Sequence, residues 1–348
     1  MKSVLVCAAQ APFVTGGAEI LVRDLAAGLR RRGLRVDVAS VPFHAHPPRD
    51  TVRQALAWRL LELRETSGAR PDLVIPTKFP SYLVRHPRKV AWVFHQLREA
   101  YDLHGTAYSS FSDAPEDRAA REAIHAMDRT ALGECRALFA ISRNVAGRLA
   151  RFNHLTAEPL APPPPHLGRY RTGDYGGYLL WAGRLEPIKR PELAVRALAA
   201  AGPDLRLRIA GRGPLEGELR RLADRLGVGE RVDLLGWVGD EELLELYAGC
   251  RAVLYAPLDE DYGYVTVEAL LSGKPVLTTH DAGGPLELVE DGASGFVCPA
   301  EPEALGAAID RAAALPERRL REMGEIGRRR ASHPGWEAVV DRLTETLR

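Results

Sequence analysis

Two short segments hold charged residues at spacings that suit a phosphorylated ligand. The first is Gly183-Arg184-Leu185-Glu186-Pro187-Ile188-Lys189-Arg190. It follows an apolar run at 178–182 and precedes a helical pattern, which places Arg184 and Lys189 near the carboxyl end of a strand. A guanidinium can chelate phosphate oxygens and an ammonium adds a point charge, so the pair suits a diphosphate. Taken alone, the segment also reads as a charged loop with solvated ends. The second segment is Glu260-Asp261-Tyr262-Gly263-Tyr264-Val265-Thr266-Val267-Glu268. It follows the run 252–255 and opens a helix at about Tyr264. The N–H groups of Tyr264 and Val265 at that helix start favour an anion, and Gly263 lets a ligand approach the backbone. Glu268, about one turn into the helix, can reach past phosphates to a ribose diol. Glu260, before the turn, can face a transferred sugar. Either carboxylate alone could be a cap or a surface charge; their joint spacing around a glycine turn points to a ligand.

These residues need a scaffold, and the hydrophobic pattern supplies one. Buried strands are expected at 4–8, 36–39, 73–75, 90–94 and 137–141. Between the first two, Ala18, Leu21, Val22, Leu25 and Leu29 form one helical face that stops at Gly33, a residue suited to a helix C-cap. Strand and helix in alternation imply a parallel sheet covered on both faces. Residues 158–177 break the pattern with Pro159, the run 162–165, and Gly168, Gly173, Gly176 and Gly177, and read as an interdomain linker. A second alternation follows, with strands at 178–182, 205–210, 232–235, 252–255 and 275–278 and helices at 191–201, 215–226, 240–248 and 265–272. The expectation is α/β: two Rossmann-like doubly wound domains, 1–165 and 166–330, facing a cleft, with ligands outside the strands' carboxyl ends. The tail, 331–348, carries an apolar stripe of Trp336, Val339, Val340, Leu343 and Leu347, and is expected to return to the first domain as a helix. No internal repeat is visible.

Composition narrows the partners. The 348 residues are 46% hydrophobic and 27% charged, with a net charge of +1, which excludes disorder and any global affinity for polyanions; no nucleic-acid partner is expected. Residues 1–165 carry 23 Lys and Arg against 16 Asp and Glu, a balance of +7, whereas residues 166–348 carry 24 against 30, a balance of −6. The basic half suits an anionic acceptor or a membrane surface, or is the Arg-decorated surface of an Arg-rich protein. Cys7, Cys135, Cys250 and Cys298 have neither metal nor redox spacing and read as free thiols in a reducing cytoplasm. The opening apolar run is too short for a signal peptide, and no stretch reaches the ~20 residues of a membrane span. A cytoplasmic location is expected, with peripheral attachment at the inner membrane face as an option.

The Arg184/Lys189 segment and the Glu-(seven residues)-Glu segment together resemble the signature of retaining family 4 glycosyltransferases, whose two-Rossmann-domain fold is called GT-B. Gly211-Arg212-Gly213-Pro214 is similar to that family's glycine loop after the second donor-domain strand. Gly236-Trp237-Val238 is similar to the loop bordering the base, and Gly273-Lys274-Pro275-Val276 and Gly292-Ala293-Ser294-Gly295-Phe296 complete the pattern. Near the start, Gly16-Gly17-Ala18-Glu19 resembles the acceptor-domain glycine loop that approaches the donor phosphate. The strong match spans 178–298. The resemblance implies a donor site of Gly16, Gly17, Gly183, Arg184, Lys189, Gly211, Gly213, Trp237, Val238, Glu260, Gly263, Tyr264, Val265 and Glu268. It places His95, after the strand at 90–94, near the donor sugar's primary hydroxyl, and gives His95, Arg184, Lys189 and Glu260 the chemistry. Arg98 and Tyr101 are acceptor-side candidates; His44, His46, His104, His125 and His154 receive no role.

The implied reaction moves a hexose-type sugar from a nucleotide diphosphate sugar, UDP favoured over GDP, to a saccharide, polysaccharide, lipid-linked or natural-product acceptor. No cofactor is implied. Asp259-Glu260-Asp261 contains a metal-like Asp-x-Asp, but the resemblance assigns it to the donor turn, and Arg184 and Lys189 supply the positive charge, so no metal is expected. Gly211-x-Gly213 is too little for a dinucleotide site. A nucleotide-sugar 2-epimerase of the same fold and a non-catalytic nucleotide-sugar-binding protein remain alternatives. The first needs no acceptor; the second binds without transfer.

Overall fold

The computed structural model of the chain describes residues 1–10, 16–63, 65, 68, 70–202 and 205–347, with backbone only at position 49. It divides into two compact units, residues 1–163 with 334–348, and residues 164–333. Arg348, the last residue of the expected tail helix, lies outside the described residues.

The first unit alternates β1 (Ser3–Gln10), α1 (Gly17–Arg31), β2 (Arg35–Pro42), α2 (Pro48–Leu60), β3 (Leu73–Pro76), β4 (Val90–Val93), α3 (Pro115–Gly133), β5 (Ala137–Ala140), α4 (Arg143–Arg148) and β6 (Glu158–Pro159). Its strands pair in parallel as β2-β1-β3 and β4-β5-β6, and a Val74–Lys89 bridge links the two sets. Helix α1 forms for the reasons its spacing gives. Leu21, Val22, Leu25 and Leu29 are buried on one face, Glu19 accepts the Gly16 N–H at 3.0 Å, and Gly33 follows at φ +80°. Each fully buried leucine contributes roughly 2 kcal/mol.

The second unit continues with β7 (Tyr178–Ala182), α5 (Pro191–Ala200), β8 (Arg206–Ala210), α6 (Glu216–Arg225), β9 (Val232–Gly236), α7 (Asp240–Gly249), β10 (Ala252–Leu254), α8 (Tyr264–Leu271), β11 (Val276–Thr279), β12 (Gly295–Cys298), α9 (Pro302–Ala314) and α10 (Glu317–Arg330). Its six strands are ordered β12-β11-β10-β7-β8-β9, with every recorded pairing parallel. The central strand β7 shows why its sequence is apolar throughout. Leu179 and Trp181 join the core under α5 and α9, while Leu180 and Ala182 join the opposite core with Tyr247 and Leu270. The strand order turns at β7, between β8 and β10, and the loops leaving β7 and β10 carry the candidate residues.

The segment 158–177 differs from a free linker. It begins with β6, where Pro159 is tolerated because the strand pairs on one side only. From Gly173 it is bound to the second unit. Gly173 and Gly176 N–H donate to Ala248 and Gly249 carbonyls at 3.0 Å, and a Cβ at either glycine would stand 2.8 Å from the same oxygens. Buried Lys274 donates to Asp174 O at 2.8 Å and lies 3.9 Å from the Tyr175 ring centroid; burial pulls its ammonium down to about 8.

The tail folds as α11 (Trp336–Leu343), which belongs to the first unit. Val339, Val340, Leu343 and Leu347 are buried, and Trp336 meets Trp92 edge-on at 6.1 Å. Gly28 on α1 lets this helix approach; a Cβ there would be 3.3 Å from Trp336 and Val340 side chains.

Candidate active site

Strands β7, β8 and β9 end side by side, and the loops leaving them are joined main chain to main chain. Gly183 N–H donates to Ala210 O at 3.0 Å, Leu185 N–H to Arg212 O at 3.0 Å, and Gly211 N–H to Gly236 O at 2.7 Å. A Cβ on Gly211, which has φ +151°, would stand 1.8 Å from Gly183 O, and one on Gly213 2.5 Å from Leu185 O. Both glycines are therefore required by loop packing before any ligand is considered. Neighbouring side chains turn outward. Arg184 is half-exposed and 2.7 Å from Glu186, and Trp237 is 72% exposed. Val238 packs against the core.

After Arg184, a single turn at Pro187–Lys189 directs the Lys189 ammonium onto Glu260. The Leu258 N–H donates to Ile188 O at 2.9 Å, which joins the two loops directly. Glu260 also accepts the Tyr255 hydroxyl at 2.7 Å. Burial pushes the Glu260 carboxyl up, but Lys189, aided by Tyr255, outweighs it and holds the group below its ordinary range. The turn is braced from behind by Ala282-Gly283-Gly284-Pro285. Glu260 N–H donates to Ala282 O, and Gly284 N–H to Glu260 O, each at 2.8 Å. A Cβ on Gly284 would come 2.7 Å from Tyr262 O.

Gly263 caps α8 at φ +84°, so the helix starts at Tyr264 and Val265. Glu268 lies inside this helix and is only 8% exposed. It accepts the Tyr247 hydroxyl at 2.8 Å, while the nearby Tyr170 hydroxyl donates to Pro165 O. Burial lifts its carboxyl to about 7, with Tyr247 limiting the rise.

The structure thus joins Lys189 to Glu260 and sets Gly263 beside them, with Glu260 Cγ 3.4 Å from a Cβ built at Gly263. Arg184 contacts Glu186 instead, and Glu268 has its own tyrosine partner. Sequence reasoning missed Tyr255 and Tyr247, because nothing in their spacing says which carboxylate they meet. It also missed Gly283-Gly284, whose paired glycines before Pro285 were a readable turn signal.

In the first unit, Gly16 is the extended N-cap of α1 and Gly17 its first residue. Glu19 pairs with Lys78 at 2.9 Å; burial raises its carboxyl, and Lys78 and the Gly16 N–H more than reverse that. His95 follows β4, with its Nδ1 2.7 Å from Gln96 O. Arg98 makes two contacts to Asp102, at 2.9 and 2.7 Å. Tyr101 corrects its acceptor-side reading: it is 4% exposed, and its hydroxyl donates inward to Asp128 at 2.8 Å. The aromatic ring is core, and only its sequence position beside His95 suggested otherwise.

Among the described residues no helix is long and apolar enough to cross a membrane. Comparison with known proteins supplies the family. The D-inositol 3-phosphate glycosyltransferase of Segniliparus rotundus is 26% identical, over 96% of this chain and 84% of the relative. Sucrose-phosphate synthase from Thermosynechococcus elongatus superposes with a TM-score of 0.79 at 19% identity, covering 100% of this chain and 98% of that one. Anabaena Alr3699/HepE in complex with UDP-glucose gives a TM-score of 0.69 at 20% identity, covering 100% and 99%. Residues 174–330, which hold both charged segments, match Glycosyl transferases group 1, and the chain is a glycosyltransferase of GT-B fold acting on a nucleotide sugar.

Proposed function

We propose that the chain transfers a hexose from a UDP-sugar, with retention at the anomeric carbon, to a hydroxyl of an acceptor that carries negative charge. The observation that carries this reading is the Lys189–Glu260 pair at the turn opening α8. An ammonium has three donors, so Lys189 can keep Glu260 and still donate to a phosphate. Arg184 is held only by a half-exposed contact to Glu186, and such pairs are worth about 0–1 kcal/mol, so an arriving diphosphate can redirect it. With the N–H groups of Tyr264 and Val265, these cations would stabilise charge growing on the leaving diphosphate. Glu260 would hold sugar hydroxyls and Glu268 the ribose diol. The leaving phosphate oxygen would take the acceptor's proton as its bond to the anomeric carbon breaks, so no protein nucleophile is needed.

The likeness to a structure solved with UDP-glucose supports uridine. The name of the Segniliparus relative, an inositol-phosphate glycosyltransferase, and the +7 balance of residues 1–165 support an anionic acceptor. Incubation of UDP-sugars with phosphorylated polyols, followed by NMR of the product's anomeric proton, tests this. The expected product has the donor's anomeric configuration. Inversion would refute the stereochemistry, and epimerised donor without an acceptor would refute transfer.

A further inference from the structure

Behind His95 the first unit buries a connected polar chain that the proposed reaction does not use. Asp128, on α3, has no exposed surface. One carboxylate oxygen accepts both the Tyr82 and Tyr101 hydroxyls at 2.8 Å. Asn153 Nδ2 donates to the Tyr101 oxygen at 3.1 Å, and Gln96 Nε2 donates to Asn153 Oδ1. His125 stacks on the Tyr101 ring at 4.1 Å. The chain therefore runs from a buried acid, through two side chains, to the residue next to His95.

Its last link bears on His95 itself. The Gln96 carbonyl can only accept, so His95 Nδ1, 2.7 Å away, carries the proton. A neutral imidazole so held presents Nε2 as an acceptor, the form suited to a sugar hydroxyl. The orientation of the Gln96 peptide decides this tautomer, and the Gln96 side chain is tied to Asn153. A buried acid with polar partners is seldom the most stable way to fill a core, because apolar residues of similar volume often do as well or better. Such networks do fix a unique arrangement when connected.

We infer that Asp128, Tyr101, Asn153 and Gln96 are positioning residues that hold His95 in its Nδ1–H tautomer. This rests on the reading of His95 as a group at the reacting sugar.

The test uses the full-length enzyme with Tyr101→Phe, Asp128→Asn, Tyr82→Phe and His95→Ala. Long-range ¹⁵N–¹H spectra report each imidazole tautomer, and the His95 signal is the one lost in His95→Ala. Tyr101→Phe and Asp128→Asn are expected to shift His95 towards mixed tautomers. They should lower kcat on the order of 10- to 100-fold with donor KM unchanged, the scale of a misplaced catalytic contact. Tyr82→Phe removes a hydroxyl from the same carboxylate but off the path to Gln96, and should leave both readouts as in the wild type. An unchanged His95 signal and kcat in folded Tyr101→Phe would overturn the inference, as would equal losses in Tyr82→Phe. Should Asp128→Asn fail to fold, Tyr101→Phe decides alone. Full activity in His95→Ala would remove the functional reading of His95, while the tautomer spectra still decide whether the chain sets its ring.

Discussion

Glu260 and Glu268 are separated by seven residues, one in the turn and one in the helix, yet they occupy opposite electrostatic regions. Glu260 meets a cation, Lys189, and stays ionised well into the acid range. Glu268 meets the Tyr247 phenol, and burial pushes it up to about 7. Two carboxylates in one sequence motif therefore differ in charge state near neutrality because one loop delivers an ammonium to Glu260, whereas the burial of Glu268 is offset only in part by its tyrosine. The first is suited to holding a sugar with a permanent charge; the second changes its hydrogen-bonding character with pH.

The largest expected effect is at Lys189. Lys189→Ala leaves Glu260 buried without its cation and removes a charge from the leaving group, and should lower kcat by about 10²–10³-fold, the cost of a lost transition-state donor. If turnover with saturating UDP-sugar is unchanged, the contrast between the two carboxylates has no catalytic meaning.

The next effect sharpens the comparison through pH. Glu268 holds its proton up to about 7 in the folded chain against 4.5 as its ordinary value, so the folded state binds more protons between those limits. Stability contributed by this group is full below 4.5 and is lost as pH rises through about 7. Glu260 has the opposite sign: its contribution is present above its ordinary value and lost only as pH falls through its lower folded value. Urea unfolding across this range should show a shallower pH dependence in Glu268→Gln than in the wild type. Some slope should remain, because Asp128, also raised to about 7 by burial, acts in the same direction. Donor KM should rise about 10-fold in Glu268→Gln, the value of a hydrogen bond to a charged group. In the wild type it should rise as pH falls below about 7. A pH-independent KM would break the assignment of Glu268 to the ribose.

The smallest effect is expected from Tyr247→Phe, which removes one donor to Glu268. The cost should be about 1–3 kcal/mol in chemical unfolding, with the Glu268 titration displaced further upward.

Much of this was legible in the chain and some was not, for identifiable reasons. The run at 178–182 coincides with β7, and a helix start at Tyr264 was readable from Gly263, because local pattern and backbone freedom decide such features. Glycines 211 and 213 were readable as a loop, but their cause, the carbonyls of Gly183 and Leu185, lies far along the chain. Lys189 and Glu260 were each readable as lying after a strand, but their pairing depends on β7 and β10 being neighbours in the sheet. Arg184 with Glu186, and Glu268 with Tyr247, depend on rotamers and tertiary packing that composition does not encode. The strap at 164–177 was taken for linker because its prolines and glycines break regular elements, whereas Gly173 and Gly176 are there to let it lie flat on α7.

The backbone zipper joining the loops after β7, β8 and β9 separates two jobs that are often entangled. Positions 183, 211 and 213 set the shape of the rim through main-chain contacts alone. Arg184 and Arg212 beside them, and Trp237 after Gly236, hang from that rim into solvent. Substituents at these three sites can be exchanged without disturbing the frame that presents them, so the same scaffold can be retuned towards a new nucleotide or sugar by altering its fringe while its skeleton is left intact.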